Sequence, residues 1–164
     1  MHPALPDDAR LWVFTASQQF DEPRAQTLHD RVADFLERWV SHGRPVPGGA
    51  TVVHDRFLVV AAHLAGGVSG CGIDSLVHAV ERIGAELSIA WVDGLHLAYR
   101  NAGGAVQVVP RPVFRGLVRE GAITATTPVF VTTAETLGEF RAGGLERPAG
   151  ETWHAQVFRI PQTV

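Results

Sequence analysis

Ala50-Thr-Val-Val-His54-Asp-Arg-Phe57-Leu-Val-Val-Ala-Ala-His63-Leu-Ala-Gly66-Gly67-Val-Ser-Gly70-Cys71 is the stretch on which the fold turns. Two apolar, β-branched runs, Ala50–His54 and Phe57–His63, flank Asp55-Arg56, and that pattern predicts a hairpin with a solvated turn. The glycine-rich loop 65–70 follows. Beyond it Ile73, Leu76, Val77, Val80, Ile83 and Leu87 recur at helical spacing, so residues 71–86 are expected to form a helix.

Upstream, Leu11-Trp-Val-Phe-Thr15 reads as a buried strand, and residues 1–9, with two prolines, as a flexible start. Phe20-Asp21-Glu22-Pro23 is a helix entry: Asp caps, and Pro occupies the first turn, where its missing N–H costs nothing. Leu28, Val32, Phe35, Leu36, Trp39 and Val40 carry that helix over residues 22–41, and Gly43 ends it. A strand near Leu87–Val92 completes the series. The order β-α-β-β-α-β over residues 10–92 suits an α+β fold, a ferredoxin-like sandwich with both helices on one face of an antiparallel sheet.

Residues 93–160 read as a smaller subdomain of hairpin, helix and strand. Leu95–Arg100 and Ala105–Val109 flank Asn101-Ala-Gly-Gly104. Pro112–Glu120 is a short helix stopped by Gly121, and Thr127–Val131 is a strand. Residues 132–151 mix a helical turn with a Gly/Pro loop. Thr152–Phe158 alternates like a final strand, with Trp153 packed inward and His154 facing out. Trp12 and Trp39 lie within apolar patterns and are expected in the core. Both parts belong to one compact chain over residues 1–164.

Composition narrows the function classes. With 46% hydrophobic and 19% charged residues the chain is ordinary globular protein. Its net charge of -3 and singly scattered arginines argue against a nucleic-acid partner. All 14 basic residues are Arg, which fits a bacterial genome rich in Arg, Ala and Gly codons. The missing lysine rules out a Schiff base and the usual phosphate-binding P-loop. One cysteine rules out an internal disulfide and a multi-cysteine zinc site. No membrane-length apolar run and no signal-peptide pattern appear, so a cytoplasmic protein is expected, with no membrane partner and no cofactor.

Five segments, Arg10-Leu-Trp-Val-Phe14, Trp39-Val-Ser-His-Gly43, His54-Asp-Arg-Phe57, Ser69-Gly-Cys-Gly-Ile-Asp-Ser75 and Thr152-Trp-His-Ala155, span nearly the whole chain. In that order they resemble a family of small uncharacterised bacterial proteins often labelled "ABC transporter ATPase". The label implies ATP hydrolysis, which a chain without lysine cannot support through a P-loop. Phe114–Ile123 with Thr127 and Val129 resembles the helix-turn-strand of GYF-type modules, which implies a ββαβ subdomain and proline-rich peptide partners.

The chemically distinctive residue is Cys71. At a helix start its thiol would face unpaired backbone N–H groups, and Gly66, Gly67, Gly70 and Gly72 would let those amides approach an anion. Ser69, Asp74 and Ser75 flank it. Ile73, Val77, Val80 and Leu87 share the core face of the helix, and Cys71, Ser75, His78 and Arg82 the opposite one. His78 is too far along the axis to act as a base for the thiol, which leaves His54, His63 and His154. His54 and His63 would approach each other or the Cys71 loop, and Arg56 adds a cation. No spacing points to a metal. These residues lead to a non-catalytic binding protein, dimeric in one version, with a small-anion or peptide site near the loop before Cys71. The alternative is a thiol-dependent enzyme or sulfur carrier using Cys71.

Overall fold

The structure, a computed structural model, describes residues 4–162. Residues 1–3 of the expected flexible start lie outside the described residues. In the rest of that start Leu5 and Ala9 are buried between exposed neighbours, and the Ala9 N–H donates to the Pro6 carbonyl at 3.0 Å. Packing divides the chain into two compact units. The first comprises residues up to Trp91 with Thr133–Ala142, and the second Val92–Thr132 with the residues from Gly143 on.

The first unit runs β1 (Arg10–Thr15), α1 (Glu22–Arg38), a small hairpin of β2 (Val40–Ser41) and β3 (Arg44–Pro45), β4 (Gly48–Val53), β5 (Phe57–Ala62) and α2 (Gly70–Glu86). The main sheet is antiparallel in the order β1-β5-β4, with Trp12 and Ala50 both opposite Val60. The β-branched run therefore becomes the central strand, and all six residues of β5 are buried. Leu58, Val60 and Ala62 share one core with Leu28, Val32 and Leu36 of α1 and Leu76, Val80 and Ile83 of α2. Both helices thus cover one face of the sheet, and the chain is α+β.

Local chemistry explains where these elements stop. Asp21 caps α1 by accepting from the Arg24 N–H at 3.0 Å, and Pro23 sits in the first turn. The helix ends at Arg38, not 41, because Val40 and Ser41 pair with Pro45 and Arg44. His42 and Gly43 turn that hairpin with φ of 51° and 74°. The buried stripe of α2 is Gly72, Leu76, Ala79, Val80 and Ile83, whereas Ile73 and Val77 are half-buried flanks.

The strand expected near Leu87–Val92 does not form. One antiparallel bridge, Ala16 to Trp91, stands in its place. The cause is the end of α2. The Gly84 carbonyl accepts from the N–H groups of Leu87 and Ile89, and Ser88 takes φ of 57°. The Trp91 indole then donates to the Val80 carbonyl at 3.1 Å, folding the segment back along the helix.

The second unit begins with β6 (His96–Arg100), β7 (Val106–Pro110), α3 (Arg111–Arg119) and β8 (Pro128–Phe130). The chain then enters the first unit through α4 (Leu137–Gly143) and returns with β9 (Glu146–Pro148), a tight turn at Ala149–Glu151 and α5 (His154–Val157). Its antiparallel sheet has the order β7-β6-β8-β9. The Arg100 guanidinium grips Glu146 with two hydrogen bonds of 2.6 and 2.9 Å, tying β6 to β9. Phe114 is fully buried in this core, its ring 4.7 Å from that of Phe158 and 6.2 Å from that of Tyr99.

The final strand expected at Thr152–Phe158 is instead one turn of helix. Spacing of i, i+4 sends His154 and Phe158 inward together, and the Thr152 hydroxyl accepts from the His154 N–H at 3.3 Å. His154 is therefore buried and Trp153 half-buried, the reverse of the expected alternation. The turn closes when the Ile160 N–H donates to the Ala155 carbonyl at 3.0 Å. That closure places Arg159 at φ of 52°, a position that favours glycine.

Candidate functional site

The loop before Cys71 is fastened from behind. Ser69 caps α2 by accepting from the Gly72 N–H at 3.0 Å. The Ser41 hydroxyl, buried, donates to the Ser69 hydroxyl at 2.8 Å and accepts from the Ser69 N–H at 2.9 Å. The Trp39 indole donates to the Gly72 carbonyl at 2.9 Å. A Cβ on Gly72 would lie 2.9 Å from Val68 Cγ1 and 3.3 Å from Ser41, so only glycine fits this junction.

Cys71 and Gly70 are exposed on the outer side, as are Asp74, Ser75, His78 and Arg82. Among the described residues the Cys71 sulfur makes no hydrogen bond. The Ser75 hydroxyl donates to the Cys71 carbonyl, at 3.0 Å, and not to the thiol. Nothing in this geometry pairs the thiol with a base.

The histidines do not gather. His54 sits in the β4–β5 turn with φ of 55°, and His63 follows the far end of β5. A hairpin of this length holds them about 20 Å apart. The His63 ring lies 3.8 Å from an Asp8 carboxylate oxygen. Arg56 is buried, not part of a solvated turn. Its guanidinium donates to the carbonyls of Ala16 at 3.0 Å and Ser17 at 2.8 Å, and burial lowers its pKa below the ordinary arginine value. It therefore holds the end of β1 to the hairpin. His154 belongs to the core of the second unit. Among the described residues no three His, Cys, Asp or Glu side chains are grouped to hold a metal ion, and no helix is long and apolar enough to cross a membrane.

A different site takes shape along β4. Among the described residues this strand is an edge, bonded only to β5. The His63 N–H donates to the Pro47 carbonyl at 3.0 Å, which sets the phase of the ladder. With Gly48 opposite Ala62, residues 49, 51 and 53 face β5 with their backbone groups. The N–H and C=O groups of Gly48, Ala50 and Val52 therefore point away from the sheet. The strand order leaves them no partner strand among the described residues.

These free groups border a groove between β4 and α1. Its larger part, about 520 Å³, is lined by Ala33, Leu36, Trp39, Val46, Pro47 and Gly48 among others, with Glu37 and His29 at its side. His29 also lines the continuation, about 290 Å³, which runs past Thr51 and Val52 to Glu22 and Asp55. Among the described residues three carboxylates and no arginine line this groove. Apolar spacing along α1 could not reveal it, because the edge status of β4 depends on the order in which strands assemble.

The chain matches no protein-family model, no curated protein and no solved structure.

Proposed function

We propose that the protein is a non-catalytic interaction protein whose first unit takes an extended, basic peptide as an added strand along β4. The observation that carries this is the open edge of β4 running beside the groove under α1. An extended peptide satisfies such an edge through its backbone, while side-chain pockets choose its sequence. The edge also lacks the usual protection. Gly48-Gly-Ala-Thr-Val-Val53 has no charge, no proline and an unbroken register with β5. Ala33, Pro45 and Pro47 offer an apolar seat over the buried Leu36, Trp39 and Val46, and Glu22, Glu37 and Asp55 favour Arg or Lys side chains. The binding role expected from the sequence is kept, and its site moves from the Cys71 loop to the strand edge. The unpaired Cys71 thiol supports the non-catalytic reading.

The test is fluorescence polarisation with a labelled octapeptide of alternating Arg and Val. Saturable binding that weakens with salt is expected. Ala50→Pro removes an N–H that points away from the sheet, so it leaves the β4–β5 ladder intact and is expected to weaken binding by about tenfold or more. Equal affinity for Ala50→Pro, or for a peptide N-methylated at alternate residues, would sink the proposal. So would dimerisation of the protein through β4.

A further inference from the structure

We infer that the second unit holds a site for a small ligand carrying two or more phosphate groups, built from Arg111, Arg115 and Arg119 of α3 with Arg159. The three helix residues stand at i, i+4 and i+8, so their side chains form one ridge, with successive residues about 6 Å apart along the axis. Like charges at that spacing destabilise a helix by themselves. No acidic residue interrupts Arg111–Arg119, and among the described residues none of the four arginines has a carboxylate partner. In a chain of net charge -3, this is a local concentration of cations without carboxylate partners among the described residues.

Arg115, Arg119 and Arg159, with Val118, Val157, Phe158 and Pro161, line a cleft of about 590 Å³, and among the described residues no carboxylate lines it. Two of the guanidiniums are held in place. Those of Arg111 and Arg115 lie 5.2 and 5.7 Å from the Phe158 ring centroid, and Phe158 is itself buried in the core. Arg159 reaches the cleft from a left-handed backbone, φ of 52°, where glycine would be easier.

Guanidiniums match phosphate oxygens in paired hydrogen bonds. Arg111 stands on the ridge outside the cleft, so a ligand held by all four arginines must extend along about 12 Å of ridge, beyond the reach of one orthophosphate, hence a ligand with at least two phosphates. A single recessed cleft of this volume suits a small molecule, whose usual sites span about 300–1,000 Å³, better than a nucleic-acid backbone, which needs a long basic track. Val118, Val157 and Pro161 offer a wall for an organic part of the ligand.

The test is calorimetric titration of the full chain with inorganic tripolyphosphate, pyrophosphate and orthophosphate near physiological salt. Saturable one-to-one binding is expected for the first two, with orthophosphate weaker. The double variant R115A/R119A, altered only at exposed side chains, is expected to lose about tenfold or more in affinity. Arg159→Gly is expected to raise Tm while weakening binding, a pairing that a merely structural arginine would not produce. Arg82→Ala, an exposed arginine on α2, serves as the charge control and is expected to bind as the parent does. Absence of saturation, an equal loss in Arg82→Ala, or tighter binding of a single-stranded oligonucleotide than of tripolyphosphate would each overturn the inference.

Discussion

Replacing Phe114 with Ala is expected to lower stability by about 3–5 kcal/mol, read as a fall in the urea midpoint. Phe114 is the side chain through which α3 joins the second unit. It is fully buried, and the rings of Tyr99, Phe158 and His154 surround it with centroids 6.2, 4.7 and 5.7 Å away. Truncation would remove the transfer energy of the ring and leave a cavity that these rigid neighbours cannot fill. Because α3 also carries the arginine ridge, the same change should loosen the positions of Arg111 and Arg115. Phe114→Leu keeps more of the volume and is expected to cost less. A loss below about 1 kcal/mol for Phe114→Ala would contradict the described packing.

Acid is expected to weaken the fold through His154, whose pKa burial pushes down from its usual 6.5 to about 4. The Thr152 hydroxyl donates to the Ala149 carbonyl at 3.0 Å, so it accepts from His154 Nδ1–H at 2.8 Å. That leaves Nε2 as a bare acceptor, buried and without a hydrogen-bond partner among the described residues. A second proton would have to sit there, in apolar surroundings. Above pH 6.5 the ring is neutral in both folded and unfolded chains, and it adds no pH dependence. Between pH 6.5 and about 4 the unfolded chain takes up a proton that the folded chain refuses. Stability contributed by the neutral ring is thus full above the unfolded pKa and is lost as pH falls towards the folded one, by about 3 kcal/mol in all. His154→Phe should abolish this part of the loss. Parallel stability curves for the parent and His154→Phe between pH 7 and 4 would contradict it.

What could be read in advance follows a physical division. β5 was legible because six consecutive apolar and β-branched residues admit few other structures, and the start of α1 because Asp21 and Pro23 punctuate it. The bridge that replaces a strand at Leu87–Val92 was not legible, since it depends on the Trp91 indole reaching back to Val80. Thr152–Phe158 misleads because a few alternating residues suit either a strand or a single helical turn. There the decision falls to tertiary burial of His154 and Phe158.

The sites divide in the same way. Cys71 stands at the start of a helix as its flanking glycines imply, yet the hydrogen bonds around it hold the loop in place and leave the thiol unpaired. Arg56 reads as a surface cation because local pattern cannot show that two carbonyls at the end of β1 await it. The groove along β4 is invisible in sequence, because edge status is a property of strand order. The ridge of Arg111, Arg115 and Arg119 is visible as a four-residue repeat, and counting arginines one by one conceals it.

The central claim is that the edge of β4 receives a strand, and backbone hydrogen exchange tests it most directly. In the free protein the amides of Gly48, Ala50 and Val52 are expected to exchange quickly, while those of Gly49, Thr51 and Val53, bonded to β5, exchange slowly. Saturation with the Arg-Val peptide should slow the first set selectively. If those three amides are already protected in the free protein, or remain fast in the peptide-saturated one, β4 is not the strand that accepts a partner.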